Sequence, residues 1–250
     1  MREFGLIGKP LGHSFSPKYF AQKFKSEGIM DAVYNAFPLD SIQELPDLIA
    51  NHPNLCGLNV TIPYKSEVIS FLDELSPEAA ESGAVNTIKF IRKDSKLILK
   101  GFNTDIPAFS SVLAPHLSAY HHTALILGSG GASKAVAYAL NKMGIDYYFV
   151  TRSKTDLEKK LIHYSDLKPE HIKSIKLIVN TSPVGQFPNV DEAPNIDYNQ
   201  IDHLHILFDL IYNPAATKFL TFGEEVGATT INGYKMLELQ AEAAWKIWNT

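Results

Sequence analysis

The stretch TALILGSGGASKAVAYALNKMG, residues 123–144, decides the fold of the second half of the chain. Its apolar start favours a buried strand, its glycines form a turn, and its Ala-rich remainder favours a helix that ends at Gly144. A strand that leads through a Gly-rich turn into a helix is the setting in which such a turn binds a dinucleotide. The stretch therefore predicts a Rossmann-type βα unit.

The turn GSGGAS, residues 128–133, suits the phosphates of a dinucleotide. Gly128 permits a tight turn, Gly130 lets a pyrophosphate approach the backbone, and the helix N-terminus offers free N–H groups and a partial positive charge. Ser133 replaces the third Gly or Ala of the usual fingerprint and is still a small residue. The alternative is a turn of purely architectural use. The predicted phosphate-binding residues are Gly128, Ser129, Gly130, Gly131 and Ala132.

The residues after the next strand indicate which dinucleotide binds. An NAD site usually has an Asp or Glu about 20 residues after the Gly-rich turn, where it holds the ribose 2′-hydroxyl. Here the chain has Thr151, Arg152, Ser153 and Lys154, whose cationic and hydroxyl groups suit a 2′-phosphate. The prediction is NADP, with a solvated basic loop as the alternative.

Elsewhere the chain also alternates strands and helices. Apolar runs predict a first strand over 4–8 and a third over 57–62, and helical spacing from Ser66 predicts a helix through Leu75. Two strands joined by a tight turn are predicted over 84–102. The fold class is therefore α/β, with an N-terminal substrate domain built on a mainly parallel sheet, a Rossmann-type dinucleotide-binding domain, and a cleft between them.

The segment NVTIPYK, residues 59–65, is too polar for a core strand. Strand alternation places Asn59 and Thr61 on one side, where they can bind a ligand beyond the carboxyl end of the strand. Lys65 then requires an anionic partner, and Asp105 is a candidate, because a lysine beside a carboxylate can move protons during hydride transfer. Alternatively, Lys65 is a surface lysine and Asp105 a helix N-cap.

Composition narrows the class of protein. The 250 residues carry a net charge of −4 with no basic run, which makes nucleic acid an unlikely partner. No stretch has the roughly 18 apolar residues of a membrane helix, and the N-terminus does not resemble a secretory signal, so we expect a cytoplasmic protein. His203 and His205 lie two apart on a predicted strand, which puts both on one face, but no metal-binding motif accompanies them, and we predict no metal.

Eight segments in sequence order together resemble the shikimate dehydrogenase family. They are GKPLGHSFSP (8–17), NVTIPYK (59–65), GAVNT (83–87), GFNTD (101–105), LGSGGASKA (127–135), NTSPVG (180–185), DLIYNP (209–214) and NGYKMLELQA (232–241). The resemblance covers essentially the whole chain. It implies NADP-dependent interconversion of 3-dehydroshikimate and shikimate in aromatic amino-acid biosynthesis.

The resemblance also implies roles for individual residues. Lys65 and Asp105 fall on the catalytic pair of the family, although which of them transfers the proton stays open. Ser14 and Ser16 resemble residues that hold the substrate carboxylate, with Tyr212 nearby. The residues that resemble the ring around the substrate hydroxyls are Asn59, Thr61, Asn86 and Gln240. Those that resemble positions lining the nicotinamide are Leu210, Gly233 and Met236.

The family organisation implies a discontinuous substrate domain, residues 1–105 with 234–250, and an NADP-binding domain, residues 106–233. The chain departs from the family at Ile106, where a glycine is usual, and at Pro77, where a polar residue often approaches the cofactor. A quinate or dual quinate/shikimate dehydrogenase with NAD or dual cofactor use is the nearest rival, and a non-catalytic metabolite sensor is a rival of another class. The sequence allows either a monomer or a homodimer.

Overall fold

A computed structural model of the chain describes residues 1–12, 14–94, 96–152 and 160–250. The chain divides into two compact units, Met1–Thr104 with Ala241–Thr250 and Asp105–Gln240. Below they are called the first and the second unit. Within the described ranges, no helix combines the length and the apolar character needed to cross a membrane.

The first unit is built on a mixed sheet of six strands in the order β2-β1-β3-β5-β6-β4. Its elements are β1 (Arg2–Gly8), α1 (Phe15–Ser26), β2 (Ala32–Pro38), α2 (Leu45–Asn51), β3 (Leu55–Val60), β4 (Glu74–Leu75), α3 (Pro77–Ser82), β5 (Thr87–Lys93) and β6 (Lys96–Phe102). Strands β2, β1 and β3 are parallel, whereas β5 runs antiparallel to both β3 and β6. The predicted strand pair over 84–102 is the β5–β6 hairpin.

Aromatic side chains of the first sheet and of α1 pack against the C-terminal residues of the chain. Phe4 of β1 stacks on Trp248, with ring centroids 4.9 Å apart, and Phe20 of α1 stacks on Tyr34 of β2 at 4.4 Å. The Trp248 indole N–H donates to the carbonyl of Ile88 at 3.0 Å. Burial of these large rings fastens the C-terminal residues to the first sheet.

The second unit is a parallel α/β unit with strand order β12-β11-β10-β7-β8-β9. Its elements are α4 (Asp105–Leu113), β7 (Thr123–Leu127), α5 (Gly131–Lys142), β8 (Asp146–Thr151), β9 (Leu161–His163), α6 (Pro169–Ser174), β10 (Leu177–Asn180), β11 (Ile206–Asp209), α7 (Lys218–Glu225), β12 (Thr229–Ile231) and α8 (Tyr234–Asn249), the last of which continues into the first unit. The strand, Gly-rich turn and helix predicted over 123–144 are β7, the turn and α5. The α/β fold class is thereby confirmed.

Two local predictions in the first unit were wrong. The helix predicted from Ser66 to Leu75 is a short 3-10 helix over Glu67–Phe71 followed by β4. Strand β3 ends at Val60 rather than at Ile62, whose side chain is 62% exposed. Pro63 has no N–H to donate to a ladder, so the chain leaves the sheet in a turn before it.

Candidate functional site

The Gly-rich turn lies at the carboxyl end of β7, in the middle of the parallel sheet. Gly128 has a φ of 121°, a region that only glycine enters readily, and its N–H donates to the carbonyl of Val150 at 2.9 Å. A Cβ at Gly128 would lie 2.8 Å from Thr181 Oγ1, whereas a Cβ at Gly130 would meet nothing within 4 Å. Protein therefore fills the space where a side chain at position 128 would lie, whereas the space beside Gly130 is open.

Ser133 of α5 serves the packing of this turn. Its side chain is fully buried, and its hydroxyl lies 2.7 Å from Thr181 Oγ1, which in turn donates to the carbonyl of Leu127 at 2.8 Å. Because the Thr181 proton is directed at that carbonyl, Ser133 is the donor to Thr181. Ser133 therefore links the start of α5 to the loop after β10 through its hydrogen bond to Thr181.

The end of β8 presents the cation predicted for a 2′-phosphate. Arg152 is exposed, and its carbonyl accepts a hydrogen bond from His163 Nε2 at 2.8 Å. Burial raises the pKa of Tyr164 to about 12, and the nearby Arg152 charge opposes part of that rise. Thr151 is buried, with its hydroxyl 3.5 Å from that of Ser129. The other two residues of this prediction, Ser153 and Lys154, lie outside the described residues.

The loops after β10 and β11 meet through buried polar groups. Asn180 ends β10 and donates from Nδ2 to Asp209 Oδ1 at 3.0 Å, while Thr217 donates to Asp209 Oδ2 at 2.6 Å. The backbone N–H of Ile211 also donates to Asp209 Oδ1, at 3.0 Å. Asn180 and Asp209 are fully buried and Thr217 is 1% exposed. Burial raises the pKa of Asp209 to about 6, against the lowering effect of these three donors.

Two of the residues predicted to line the nicotinamide, Leu210 and Gly233, lie beside this network. Leu210 donates its N–H to the carbonyl of Asn180 at 3.0 Å, and Gly233 donates to that of Ile211 at 3.0 Å. A Cβ at Gly233 would lie 2.1 Å from the Leu210 carbonyl oxygen, so only glycine fits there. Met236 is buried in the core of the second unit. Leu210 and Gly233 are thus in backbone contact.

In the first unit, the Asn59 side chain is engaged by protein groups at both its oxygen and its nitrogen. Tyr34 donates its hydroxyl to Asn59 Oδ1 at 2.8 Å, and Asn59 Nδ2 donates to Thr87 Oγ1 at 3.2 Å and to the Asn86 carbonyl at 3.3 Å. An amide has two donor hydrogens, and both are engaged here. Burial raises the pKa of Tyr34, and a hydrogen bond from Ser16 opposes part of that rise. Asn59 therefore holds neighbouring groups in position within the sheet.

Asn86 continues the network toward the end of β6. Its Oδ1 accepts from the Thr104 N–H at 2.8 Å and from the Thr87 hydroxyl at 3.0 Å, and its Nδ2 donates to Thr104 Oγ1 at 2.9 Å. Asn103 Nδ2 donates to the carbonyl of Ala84 at 2.9 Å. These side chains are at most 5% exposed, and all of them are neutral. We call Tyr34, Asn59, Asn86, Thr87 and Thr104 the neutral network.

The other predicted substrate-site residues are divided between the two units. Lys65 is half-buried, and its carbonyl accepts from the Val85 N–H at 2.7 Å. Asp105 is the first residue of α4 and is 6% exposed. The remaining placements are Ser14 just before α1, Ser16 buried in the first turn of α1, Thr61 half-buried after β3, Tyr212 half-buried after β11, and Gln240 buried on α8.

Sequence reasoning missed the residues that hold the candidate site in shape. Tyr34 lies on β2, outside every segment that carried the family resemblance, and nothing in its sequence context marks it. Thr104 and Asp209 stand inside such segments, beside predicted ligand-binding residues, so their position was the available signal. Their roles became visible only as hydrogen bonds between distant parts of each unit.

Comparison with known proteins gives a consistent result. A model of the shikimate dehydrogenase substrate binding domain matches residues 6–88. The protein of Carboxydothermus hydrogenoformans named shikimate dehydrogenase (NADP(+)) is 38% identical over 98% of this chain and 90% of its own. The structure of shikimate 5-dehydrogenase from Thermus thermophilus in complex with NADP(H) and shikimate is 30% identical, with a TM-score of 0.83 over 99% of this chain and 93% of its own.

A solved quinate dehydrogenase is also similar. The enzyme from Corynebacterium glutamicum in complex with NAD is 25% identical, with a TM-score of 0.85 over 99% of this chain and 93% of its own. The fold is therefore shared by proteins that differ in named substrate and cofactor, and the residues of the site must decide between them.

Proposed function

The chain belongs to the shikimate dehydrogenase family, and we propose that it catalyses the reversible NADPH-dependent reduction of 3-dehydroshikimate to shikimate in aromatic amino-acid biosynthesis. The observation that carries this proposal is the 38% identity, over nearly the whole chain, to a relative named for shikimate and NADP(+). The reaction makes the protein an oxidoreductase acting on a CH–OH group.

The described residues of the second unit fit NADP. Gly128 adopts the positive φ of the tight turn, Gly130 leaves the backbone of the turn accessible to a pyrophosphate, and the N-terminus of α5 adds its free N–H groups. Arg152 supplies an exposed guanidinium, which pairs with a phosphate but has no such partner on an unmodified ribose. When bound, the cofactor supplies the hydride. The proposed cofactor-binding residues are Gly128, Ser129, Gly130, Gly131, Ala132, Thr151, Arg152, Leu210, Gly233 and Met236.

Proton transfer falls to the catalytic pair. In the reducing direction, Lys65 is the proposed proton donor to the substrate carbonyl oxygen. Asp105 is assigned the orientation of the substrate hydroxyl. In the oxidising direction the same pair accepts the proton. This division of roles rests on the family resemblance and on the residue types at positions 65 and 105.

Substrate binding is assigned to polar residues of both units. Ser14 and Ser16 hold the carboxylate with Tyr212, while Thr61 and Asn86 bind ring hydroxyls. Asn59 and Gln240 complete the proposed set, with Asn59 acting mainly by holding Asn86 and Thr87. The proposed domains are residues 1–105 with 234–250 for the substrate and 106–233 for NADP. The partners are small molecules, and the proposal holds for a monomer or a homodimer.

Initial-rate kinetics test this proposal. NADPH or NADH formation is followed by absorbance for shikimate and quinate, each with NADP⁺ and NAD⁺. We expect kcat/KM to be highest for shikimate with NADP⁺. Quinate, which carries an additional tertiary hydroxyl, should be at least about tenfold poorer, because its added hydroxyl must be accommodated beside the carboxylate.

Two outcomes contradict the proposal. A preference for quinate and NAD⁺ would assign the chain to the activity of the similar quinate dehydrogenase. Measurable binding of NADP⁺ and shikimate with turnover at the no-enzyme rate would instead identify a sensor built on the same fold.

A further inference from the structure

Asp209 is a buried carboxylate held by neutral groups. Asn180 and the Ile211 N–H donate to its Oδ1, and Thr217 donates to its Oδ2. The side chain is fully buried at the carboxyl end of β11. A carboxylate in such a place costs free energy even when it is hydrogen-bonded, and an apolar residue would avoid that cost. Its presence calls for a role beyond packing.

The three donors come from different segments that surround the carboxyl ends of β10 and β11. Asn180 ends β10 just before the loop over 181–185, Ile211 lies near the start of the loop over 210–217, and Thr217 at the end of that loop caps α7 by accepting from the Leu220 N–H at 3.4 Å. Asn180 also binds the Ser182 hydroxyl at 2.7 Å and the Val184 carbonyl at 3.3 Å. One carboxylate therefore fixes the shape of two loops.

The loop over 210–217 carries the residues assigned to the nicotinamide end of the cofactor. Ile211 binds Asp209 through its N–H and accepts from the Gly233 N–H through its carbonyl. Leu210 is next to Asp209 in the chain, and Gly233 packs on the Leu210 backbone. A loss of the carboxylate would release Ile211 and, through it, the contact between Leu210 and Gly233.

We propose that Asp209 is a positioning residue for hydride transfer, which holds the Leu210–Gly233 wall and the loop over 181–185 in the geometry that orients the nicotinamide. This inference rests on the proposed function. A ring misplaced by about 1 Å can lower a transfer rate by about 10²-fold even when binding persists. The Gly-rich turn keeps the hydrogen bond from the Gly128 N–H to the Val150 carbonyl, which does not involve Asp209, so we expect phosphate binding to change little.

The test compares three variants of the full-length protein in the shikimate and NADP⁺ assay. Asp209→Ala should lower kcat by about 30-fold, with KM for NADP⁺ changed by less than about threefold. Asp209→Asn should restore most of kcat, since the amide keeps an acceptor for Ile211 and can donate to Thr217. Asp202→Ala is the matched control. Asp202 precedes β11 and accepts from Lys176 Nζ at 2.7 Å, at the opposite end of the strand.

Several results would overturn the inference. A folded Asp209→Ala variant with kcat within about twofold of the unaltered protein would do so, as would an equal loss in Asp202→Ala or no recovery in Asp209→Asn. If Asp209→Ala does not fold, Thr217→Val replaces it, because valine keeps the shape and removes one donor. An unchanged kcat in that variant would contradict the role, and a fall of about threefold or more would support it. Failure of the unaltered protein to turn over shikimate would instead contradict the proposed function.

Discussion

The two units build their candidate sites from different chemistry. In the first unit, the neutral network joins amides and hydroxyls, none of which is ionised at ordinary pH. In the second unit, an ionisable carboxylate, Asp209, stands at the centre of the corresponding network. Neutral groups satisfy one another without desolvating a charge, whereas the carboxylate has its pKa raised by burial. The contribution of the first network to stability should therefore not depend on pH, whereas that of the second should.

The largest expected effect removes the proposed proton donor. Lys65→Ala should lower kcat by about 10²- to 10⁴-fold while leaving KM for shikimate mostly intact, because the ammonium acts on the transition state and the neutral network still shapes the pocket. Steady-state kinetics measure both constants. Lys100→Ala, which removes the partner of Glu74 on another strand, is the control. Near-normal turnover without Lys65 would reject the role.

The next effect tests the difference between the two networks directly. The free energy of unfolding of Asp209→Asn, relative to that of the unaltered protein, should be about 2 kcal/mol higher at about pH 8 than at about pH 4. The sign follows from the raised pKa: the folded state binds the proton more tightly, so this carboxyl favours folding at low pH. That contribution is lost as pH rises from 3.8, the usual pKa, through about 6.

Calorimetric unfolding at the two pH values measures this change. Asn86→Ala in the neutral network is the companion variant, and its loss of stability should be the same at both values because the amide does not titrate. Two results would contradict the comparison: a change in the free energy of unfolding by Asp209→Asn that is the same at both pH values, or a change by Asn86→Ala that differs between them.

A smaller effect is expected at the cofactor-selecting end of β8. Arg152→Ala should raise KM for NADP⁺ about tenfold and leave KM for NAD⁺ nearly unchanged, because the guanidinium is assigned to the 2′-phosphate alone. Initial rates with each cofactor measure this. The increase should shrink at high salt, which screens an exposed charge pair. Equal changes for both cofactors would show that Arg152 does not read the 2′ position.

The smallest effect concerns the residue that orients the neutral network. Tyr34→Phe removes the donor to Asn59 Oδ1 and should raise KM for shikimate by about threefold to tenfold, with KM for NADP⁺ unchanged. Fluorescence of Trp245 and Trp248, both in the first unit, can follow its unfolding. Tyr198→Phe is the control, since Tyr198 donates to the Pro194 carbonyl at 2.8 Å in the second unit. Equal KM values in the two variants would remove Tyr34 from the account.

The sequence predicted the fold where local signals were strong. The stretch over 123–144 combines apolar strand, glycines and Ala-rich helix, so β7 and α5 could be placed from pattern alone. The segment after Val60 could not, because apolar spacing at Val68, Phe71 and Leu72 fits a helix as well as the observed 3-10 turn and short strand.

The sequence predicted candidate site residues, but it did not predict the hydrogen bonds that hold them in position. Asn59 could be identified as a polar residue in a core strand, but its bond to Thr87 depends on the pairing of β3 with β5, and its bond from Tyr34 depends on the order β2-β1-β3 in the sheet. Likewise, no residue near Asp209 in the sequence predicts its bond with Asn180. Asn180 reaches Asp209 because β10 and β11 are adjacent strands. Contacts between distant residues are set by topology, and a single sequence does not state the topology of its sheets.

The most direct test of the whole account is the reaction in the reducing direction. Purified protein is mixed with NADPH, 3-dehydroshikimate is added, and the loss of NADPH absorbance is followed while the product is identified by mass and retention time. We predict stoichiometric conversion of 3-dehydroshikimate to shikimate as NADPH is consumed. Consumption no faster than without protein, or a product other than shikimate, would contradict the account.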